Sequence, residues 1–108
     1  GWTEEALACF ADYATVDREG ARVLRCPKEI EAEIFEQPVY PWPSMRKIRV
    51  PILFLRGSSS YAFFPAAERM TRRLNPGVTL QQLPGGHCFM QEDPLAAAQA
   101  VKAFLKNL

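Results

Sequence analysis

The chain has 108 residues, the length of one small domain or of part of a larger one. Its hydrophobic fraction of 48% and its charged fraction of 23% exclude a disordered chain. Thirteen basic and twelve acidic residues leave a net charge of +1, which does not favour nucleic acid as a partner. No apolar run approaches the ~18 residues that a membrane span requires, so we expect no membrane association.

Cysteine and histidine usage excludes several kinds of site. Cys9, Cys26 and Cys88 are an odd number at wide spacings, which does not suit a disulfide framework and favours a reducing, cytoplasmic compartment. One histidine and scattered cysteines cannot supply the four ligands of a structural zinc site, and no glycine-rich phosphate loop occurs. We therefore expect no metal and no cofactor. The first residue is Gly1 in place of Met, which indicates a processed, tagged or cut start.

Residues 1–43 predict short helices followed by a connector. Thr3 is a candidate N-cap for "EEALACFADYA", whose apolar residues follow helical spacing. "VDREGARVLRC" turns around Gly20, either as an irregular segment or as a short hairpin. Pro27 predicts the start of a second helix with Ile30 and Ile34 on one face. The prolines of "QPVYPWPSM" predict a connector without a regular element.

Residues 44–108 predict a strand, a helix, a second strand and a terminal helix. The strand Val50–Leu55 is a continuous apolar run, which is typical of a parallel strand buried on both faces. Pro65 opens a helix, "VTLQQLP" predicts a half-polar strand, and Asp93 is the N-cap candidate of the last helix. The predicted apolar stripes are Ala66, Met70 and Leu74 in the first helix, and Leu95, Ala98, Val101, Phe104, Leu105 and Leu108 in the last.

This order predicts an α/β fold with two parallel strands and covering helices. Two strands form a sheet that is too small to be stable alone. Either the chain self-associates through its open sheet edge, as a small free-standing module that dimerises would, or a missing N-terminal portion of a larger protein completes the sheet. We favour the second explanation.

The only histidine, His87, lies in "LPGGHCFMQEDP" after the second strand. Reactive groups in parallel sheets collect beyond the carboxyl ends of the strands, where "GSSSYAFFP" follows the first strand. If the two strands are adjacent, Ser58–Tyr61 and His87 face one crevice. Four apolar residues flank these loops and would either line a pocket or serve as ordinary core contacts: Phe63, Phe64, Phe89 and Met90.

From about Ser44 to Leu108, this pattern resembles the C-terminal third of the α/β-hydrolase fold, most specifically in the "PGGH…EDP…FL" run. Residues 1–43 resemble, more loosely, the lid helices that such proteins insert before the penultimate strand. The resemblance implies that His87 is the general base of a Ser-His-Asp type triad. It also implies that the intact protein hydrolyses an ester or a related bond in a small-molecule substrate.

The family's nucleophile, acid, histidine order places the nucleophile outside this chain, so the chain alone should be inactive. "GSSSY" departs from the G-x-S-x-G elbow at the bulky Tyr61, so we do not expect Ser59 to be the nucleophile. Ser60, with Tyr61 beside it, occupies the position at which many relatives carry the triad Asp. A serine can orient the imidazole of His87 but supplies no negative charge.

Two explanations of Ser60 stay open. The acid follows the preceding strand, as in some family members, and so lies outside this chain. Alternatively the triad is incomplete, and the protein is a non-catalytic relative that serves in binding or assembly. We favour the first explanation because the histidine loop is intact.

Overall fold

The computed structural model describes all residues, Gly1–Leu108, in two compact units: Thr3–Tyr40, and Pro41–Leu108 together with Gly1–Trp2. The helices are α1 (Glu4–Tyr13), α2 (Lys28–Glu36), α3 (Trp42–Met45), α4 (Phe64–Leu74), α5 (Phe89–Glu92) and α6 (Pro94–Lys106). The strands are β1 (Thr15–Arg18), β2 (Ala21–Leu24), β3 (Leu53–Gly57) and β4 (Thr79–Leu83). None of the helices is long and apolar enough to span a membrane.

The Thr3–Tyr40 unit consists of two helices and a hairpin. The Thr3 hydroxyl accepts a hydrogen bond of 3.2 Å from the Ala6 amide, which confirms the predicted N-cap of α1. β1 and β2 pair antiparallel, and Glu19 and Gly20 between them both have positive φ, as the type I′ turn of a tight hairpin requires. No residue of this unit is buried, so its apolar side chains form no core of their own.

The proline-rich connector contains a regular element, so its prediction as irregular is wrong. α3 spans Trp42–Met45 and has a proline in its first turn. Proline is tolerated there because a first-turn amide has no partner within the helix. The Asn75 side-chain amide, after the end of α4, donates to the carbonyl oxygens of Met45 (3.3 Å) and Ile48 (3.4 Å). These bonds fix the segment that leads into β3.

β3 and β4 pair in parallel, in register from Leu53↔Thr79 to Gly57↔Leu83, which confirms the predicted strand pair. The two faces of β3 contact different helices. Phe54 lies in edge contact with Phe64 of α4, at a ring-centroid distance of 6.2 Å. Leu53 and Leu55 line a groove together with residues of α6. Helices thus cover opposite faces of the strand pair, as in α/β proteins.

β3 begins three residues later than predicted and extends to Gly57. Val50 is exposed, and Pro51 has no amide hydrogen to donate to a neighbouring strand. Pairing starts where the Thr79 amide donates to the Ile52 carbonyl (2.9 Å). The apolar run therefore marks the strand correctly but misplaces its ends.

The buried face of α4 differs from the predicted stripe. Ala66 is exposed and Met70 is 41% exposed, whereas Thr71 is 1% exposed. The helix is anchored by Glu68, which forms an ion pair with Arg56 of β3. A polar contact therefore determines which side faces the sheet, and a pattern that counts apolar residues cannot detect it.

α6 begins as predicted, since an Asp93 carboxylate oxygen accepts a hydrogen bond of 2.9 Å from the Ala96 amide. The helix buries Ala97 and Ala100, which with Phe89 are the buried apolar residues of the chain. Most of the predicted stripe is instead exposed: Leu95, Ala98, Val101, Leu105 and Leu108. Val101, Phe104 and Leu105 of this stripe line the groove beside β3, so that part of the stripe faces the sheet without being fully buried.

Candidate active site

The loops that follow β3 and β4 are joined by main-chain hydrogen bonds. The Ser58 amide donates to the Leu83 carbonyl (2.8 Å), and the Ser59 amide donates to the Gly85 carbonyl (2.9 Å). The parallel register continues into the loops in this way. Side chains on the two loops therefore lie at one edge of the sheet.

Glycines allow these loops to approach each other closely. A Cβ on Gly57 would lie 1.9 Å from the Gly86 carbonyl oxygen, a distance that no side chain can occupy. Gly85 has a φ of +122°, a conformation that residues with a side chain rarely adopt. Both glycines are thus required for the turn that carries His87.

Glu92, a residue of α5, binds the loop that carries His87. Its carboxylate accepts a hydrogen bond of 3.0 Å from the Gly86 amide, adjacent to His87. A Cβ on Gly85 would lie 2.5 Å from the same carboxylate. The sequence predicts a helix start at "EDP" and carries no signal of this contact. It also predicts a loop where the short helix Phe89–Glu92 lies.

An ion pair braces the end of β3 beneath the site. Arg56 donates from Nε and Nη2 to the two carboxylate oxygens of Glu68, at 2.8 and 3.2 Å. Its Nη1 donates to the Gly57 carbonyl at 3.1 Å. The two side chains are only 8% and 13% exposed. The sequence signal was a single arginine within an apolar strand.

His87 lies at the surface of the joined loops, and it is exposed. The Ser60 hydroxyl lies 3.3 Å from Nδ1 of the imidazole, within hydrogen-bond distance. The ring centroids of Tyr61 and Phe64 lie 4.6 and 6.0 Å from that of His87. The structure therefore brings together the predicted histidine and both residues of the predicted acid position.

No carboxylate contacts the imidazole. Three acidic residues occur between Pro41 and Leu108, and each is bound elsewhere. Glu68 pairs with Arg56, Glu92 accepts from the Gly86 amide, and Asp93 caps α6. The position beside Nδ1 is occupied by a neutral hydroxyl.

A groove of about 630 Å³ lies beside His87 and Ser60. Three of the four predicted pocket residues, Phe64, Phe89 and Met90, line it. Phe63 is exposed and stacks on Tyr61, with ring centroids 5.8 Å apart. The rest of the lining comes from the strand end and the terminal helix: Leu53, Leu55, Arg56, Gly57, Val101, Phe104 and Leu105. The groove is mainly apolar, with the hydroxyl and the imidazole among its few polar groups.

No cluster of histidine, cysteine and acidic side chains is arranged to hold a metal ion, and the three cysteines are free thiols.

The chain was compared with known proteins. No family model and no curated protein matches it. Among solved structures it is similar to E-2-(acetamidomethylene)succinate hydrolase, with a TM-score of 0.79 and 22% sequence identity. The similarity covers 97% of this chain and 40% of that protein, so the chain spans less than half of its length. The chain thus has the fold of the C-terminal part of an α/β-hydrolase, which confirms the resemblance seen in the sequence.

Proposed function

We propose that His87 is the general base of a hydrolase whose nucleophile lies outside residues 1–108. The observation that carries the proposal is the position of His87 at the carboxyl ends of two parallel strands, with Nδ1 3.3 Å from Ser60. The fold, and the similarity to a protein that is named a hydrolase, support it. We expect a small-molecule ester or related compound as the substrate.

The imidazole has two ring nitrogens with separate roles. Nδ1 is engaged by Ser60, so Nε2 is the nitrogen that remains for proton transfer. In the proposed reaction Nε2 takes the proton of the nucleophile as the nucleophile attacks the carbonyl carbon. The bond to the leaving group then breaks, and Nε2 returns the proton to that group.

The hydroxyls of this chain do not suit the role of nucleophile. Ser60 faces Nδ1, and Ser59 is followed two residues later by the bulky Tyr61, where an elbow requires a small residue. The nucleophile and the oxyanion hole are accordingly assigned to the part of the fold that this chain does not span. We assign residues 1–43 to the lid and its connector.

Hydrolysis of an activated ester tests the proposal. The 108-residue chain should react no faster than free imidazole at equal concentration. In the longer polypeptide that contains these residues, His87→Ala should lower kcat by at least about 10³-fold, because the base is removed. Ser59→Ala is the matched control and should leave kcat unchanged. Full activity of His87→Ala would contradict the proposal, as would ester hydrolysis by the chain alone that His87→Ala abolishes.

A second candidate is a non-catalytic relative that binds or assembles. It is favoured by one observation: the chain places no carboxylate beside His87. In that case the longer polypeptide would show no ester hydrolysis above the imidazole control, and His87→Ala would change nothing in the assay.

A further inference from the structure

We propose that Ser60 and Tyr61 complete the base in place of a carboxylate. Ser60 is the hydrogen-bond partner of Nδ1, and the ring of Tyr61 stabilises the imidazolium that forms during the reaction. Both are positioning residues that act through His87. The inference rests on the proposed function and names the groups that support its base.

The site beside Nδ1 is already filled. All three acidic residues of Pro41–Leu108 are bound to other partners. The Ser60 hydroxyl lies 3.3 Å from Nδ1, on the side of the ring where a triad acid would act. The chain therefore supplies a hydroxyl at the position where a triad acid would act.

Ser60 is held in place by the backbone. Its amide donates to the Gly57 carbonyl at 3.2 Å. The two preceding amides, of Ser58 and Ser59, donate to the carbonyls of Leu83 and Gly85 on the strand and loop that carry His87. Ser60 and His87 are thus positioned by the same joined pair of loops, so their distance does not depend on a mobile segment.

The hydrogen bond engages Nδ1 and leaves Nε2 as the nitrogen that is free for proton transfer. Nε2 can accept a proton only if Nδ1 carries the ring hydrogen, so Nδ1–H donates and the Ser60 hydroxyl oxygen accepts. Ser60 keeps its own proton throughout, and no proton passes through it. The hydroxyl can accept from Nδ1–H or donate to an unprotonated Nδ1, so it orients the ring in either state, and it adds no negative charge.

Tyr61 supplies an electrostatic contribution that the hydroxyl lacks. Its ring centroid is 4.6 Å from that of His87, inside the ~6 Å range of cation–π attraction. Phe64 lies at 6.0 Å, at the limit of that range. An imidazolium is favoured by the electron-rich face of an aromatic ring, whereas the neutral imidazole gains much less. The ring of Tyr61 thus lies where it can stabilise the imidazolium that forms during the reaction.

The chain itself permits a direct test, because its single histidine gives unambiguous imidazole signals. Long-range ¹H–¹⁵N spectra report the resonance of each ring nitrogen. We expect the Nδ1 resonance of the wild-type chain to shift in Ser60→Ala, because the hydrogen-bond partner of Nδ1 is removed. Ser59→Ala should not change the spectrum. An Nδ1 resonance that is identical in wild type and Ser60→Ala would overturn the inference.

Kinetics of the longer polypeptide provide the second test. Ser60→Ala should lower kcat by about five- to tenfold with little change in KM, the loss expected for one hydrogen bond. Ser60→Asp should raise kcat at least about tenfold and move the pH profile to higher pH, because an adjacent carboxylate favours the charged imidazole. Tyr61→Leu should lose more activity than Tyr61→Phe, which keeps the aromatic ring. Circular dichroism of each variant checks that it is folded.

The outcomes separate this inference from the proposed function. Ser60→Ala and Ser60→Asp both within about twofold of wild type, with His87→Ala inactive, would show that an acid from elsewhere serves His87. The inference would then fail while the function stands. An active His87→Ala variant would remove the function itself.

Discussion

The two strands of the central pair have equal length and matched register but very different surroundings. β3 and β4 have five residues each and pair from Leu53↔Thr79 to Gly57↔Leu83. β3 is apolar at its start and ends in two buried residues, Arg56 and Gly57. β4 contains two glutamines and has no buried residue.

The difference shows which strand supports the site. β4 mixes polar and apolar residues, which is typical of an edge strand, so we expect its outer edge to face solvent. β3 has the composition of a central strand, yet one edge is unpaired in this chain. It also carries the ion pair and the glycine contact beneath the histidine loop. We therefore attribute the fixed positions of the site residues to β3, and we propose that a strand from outside residues 1–108 pairs with its open edge.

The largest expected effect comes from the ion pair of β3. Arg56→Ala leaves the carboxylate of Glu68 unpaired at low exposure and should lower the free energy of unfolding by about 3–5 kcal/mol. Its register partner in β4 is the exposed Gln82, and Gln82→Ala should cost less than about 0.5 kcal/mol. Urea unfolding of both variants measures the contrast. Equal losses of unfolding free energy would show that the two strands contribute equally to stability.

A second contrast concerns the glycine contact. Gly57→Ala places a Cβ 1.9 Å from the Gly86 carbonyl oxygen and should cost about 3 kcal/mol or more, since the backbone of the loop must move. Gly77→Ala, just before β4, is the control. A Cβ there lies 3.4 Å from the nearest atom, so the change should be within about 0.5 kcal/mol. Thermal unfolding followed by circular dichroism compares the two variants. A Gly57→Ala variant as stable as wild type would contradict the close contact between Gly57 and Gly86.

The smallest expected effect is on association. The isolated chain should sediment above its 12.2 kDa mass at high micromolar concentration, through the open edge of β3. Leu53→Lys should weaken this association by about tenfold, because it places a charge beside that edge. Thr79→Lys, at the register partner in β4, should behave as wild type. Sedimentation equilibrium distinguishes them. If only Thr79→Lys caused dissociation, the chain would associate through β4 instead of β3.

Local signals predicted much of this fold. The N-caps at Thr3 and Asp93 and the two parallel strands follow from short-range patterns of residue type, and the structure has them. The placement of Ser60 near His87 followed from strand adjacency, because parallel strands end at the same edge of a sheet. These features depend on neighbours in sequence or on one topological assumption.

The remaining features depend on contacts between residues that are distant in sequence. Arg56 and Glu68 are 12 residues apart, and their pairing sets the buried face of α4. The Glu92 contact with the Gly86 amide likewise has no periodic signal, since it depends on how a loop and a helical turn fold together. Most residues of the α6 stripe are exposed, because a pattern of apolar residues predicts a face of the helix but not whether another element covers it.

The most direct test of the account is covalent labelling of the longer polypeptide with a fluorophosphonate, followed by mapping of the labelled residue by mass spectrometry. We predict one labelled residue outside positions 1–108, and loss of labelling in His87→Ala because the nucleophile is no longer activated. Labelling at Ser58, Ser59 or Ser60, or undiminished labelling in His87→Ala, would contradict the assignment of His87 as the base of an external nucleophile.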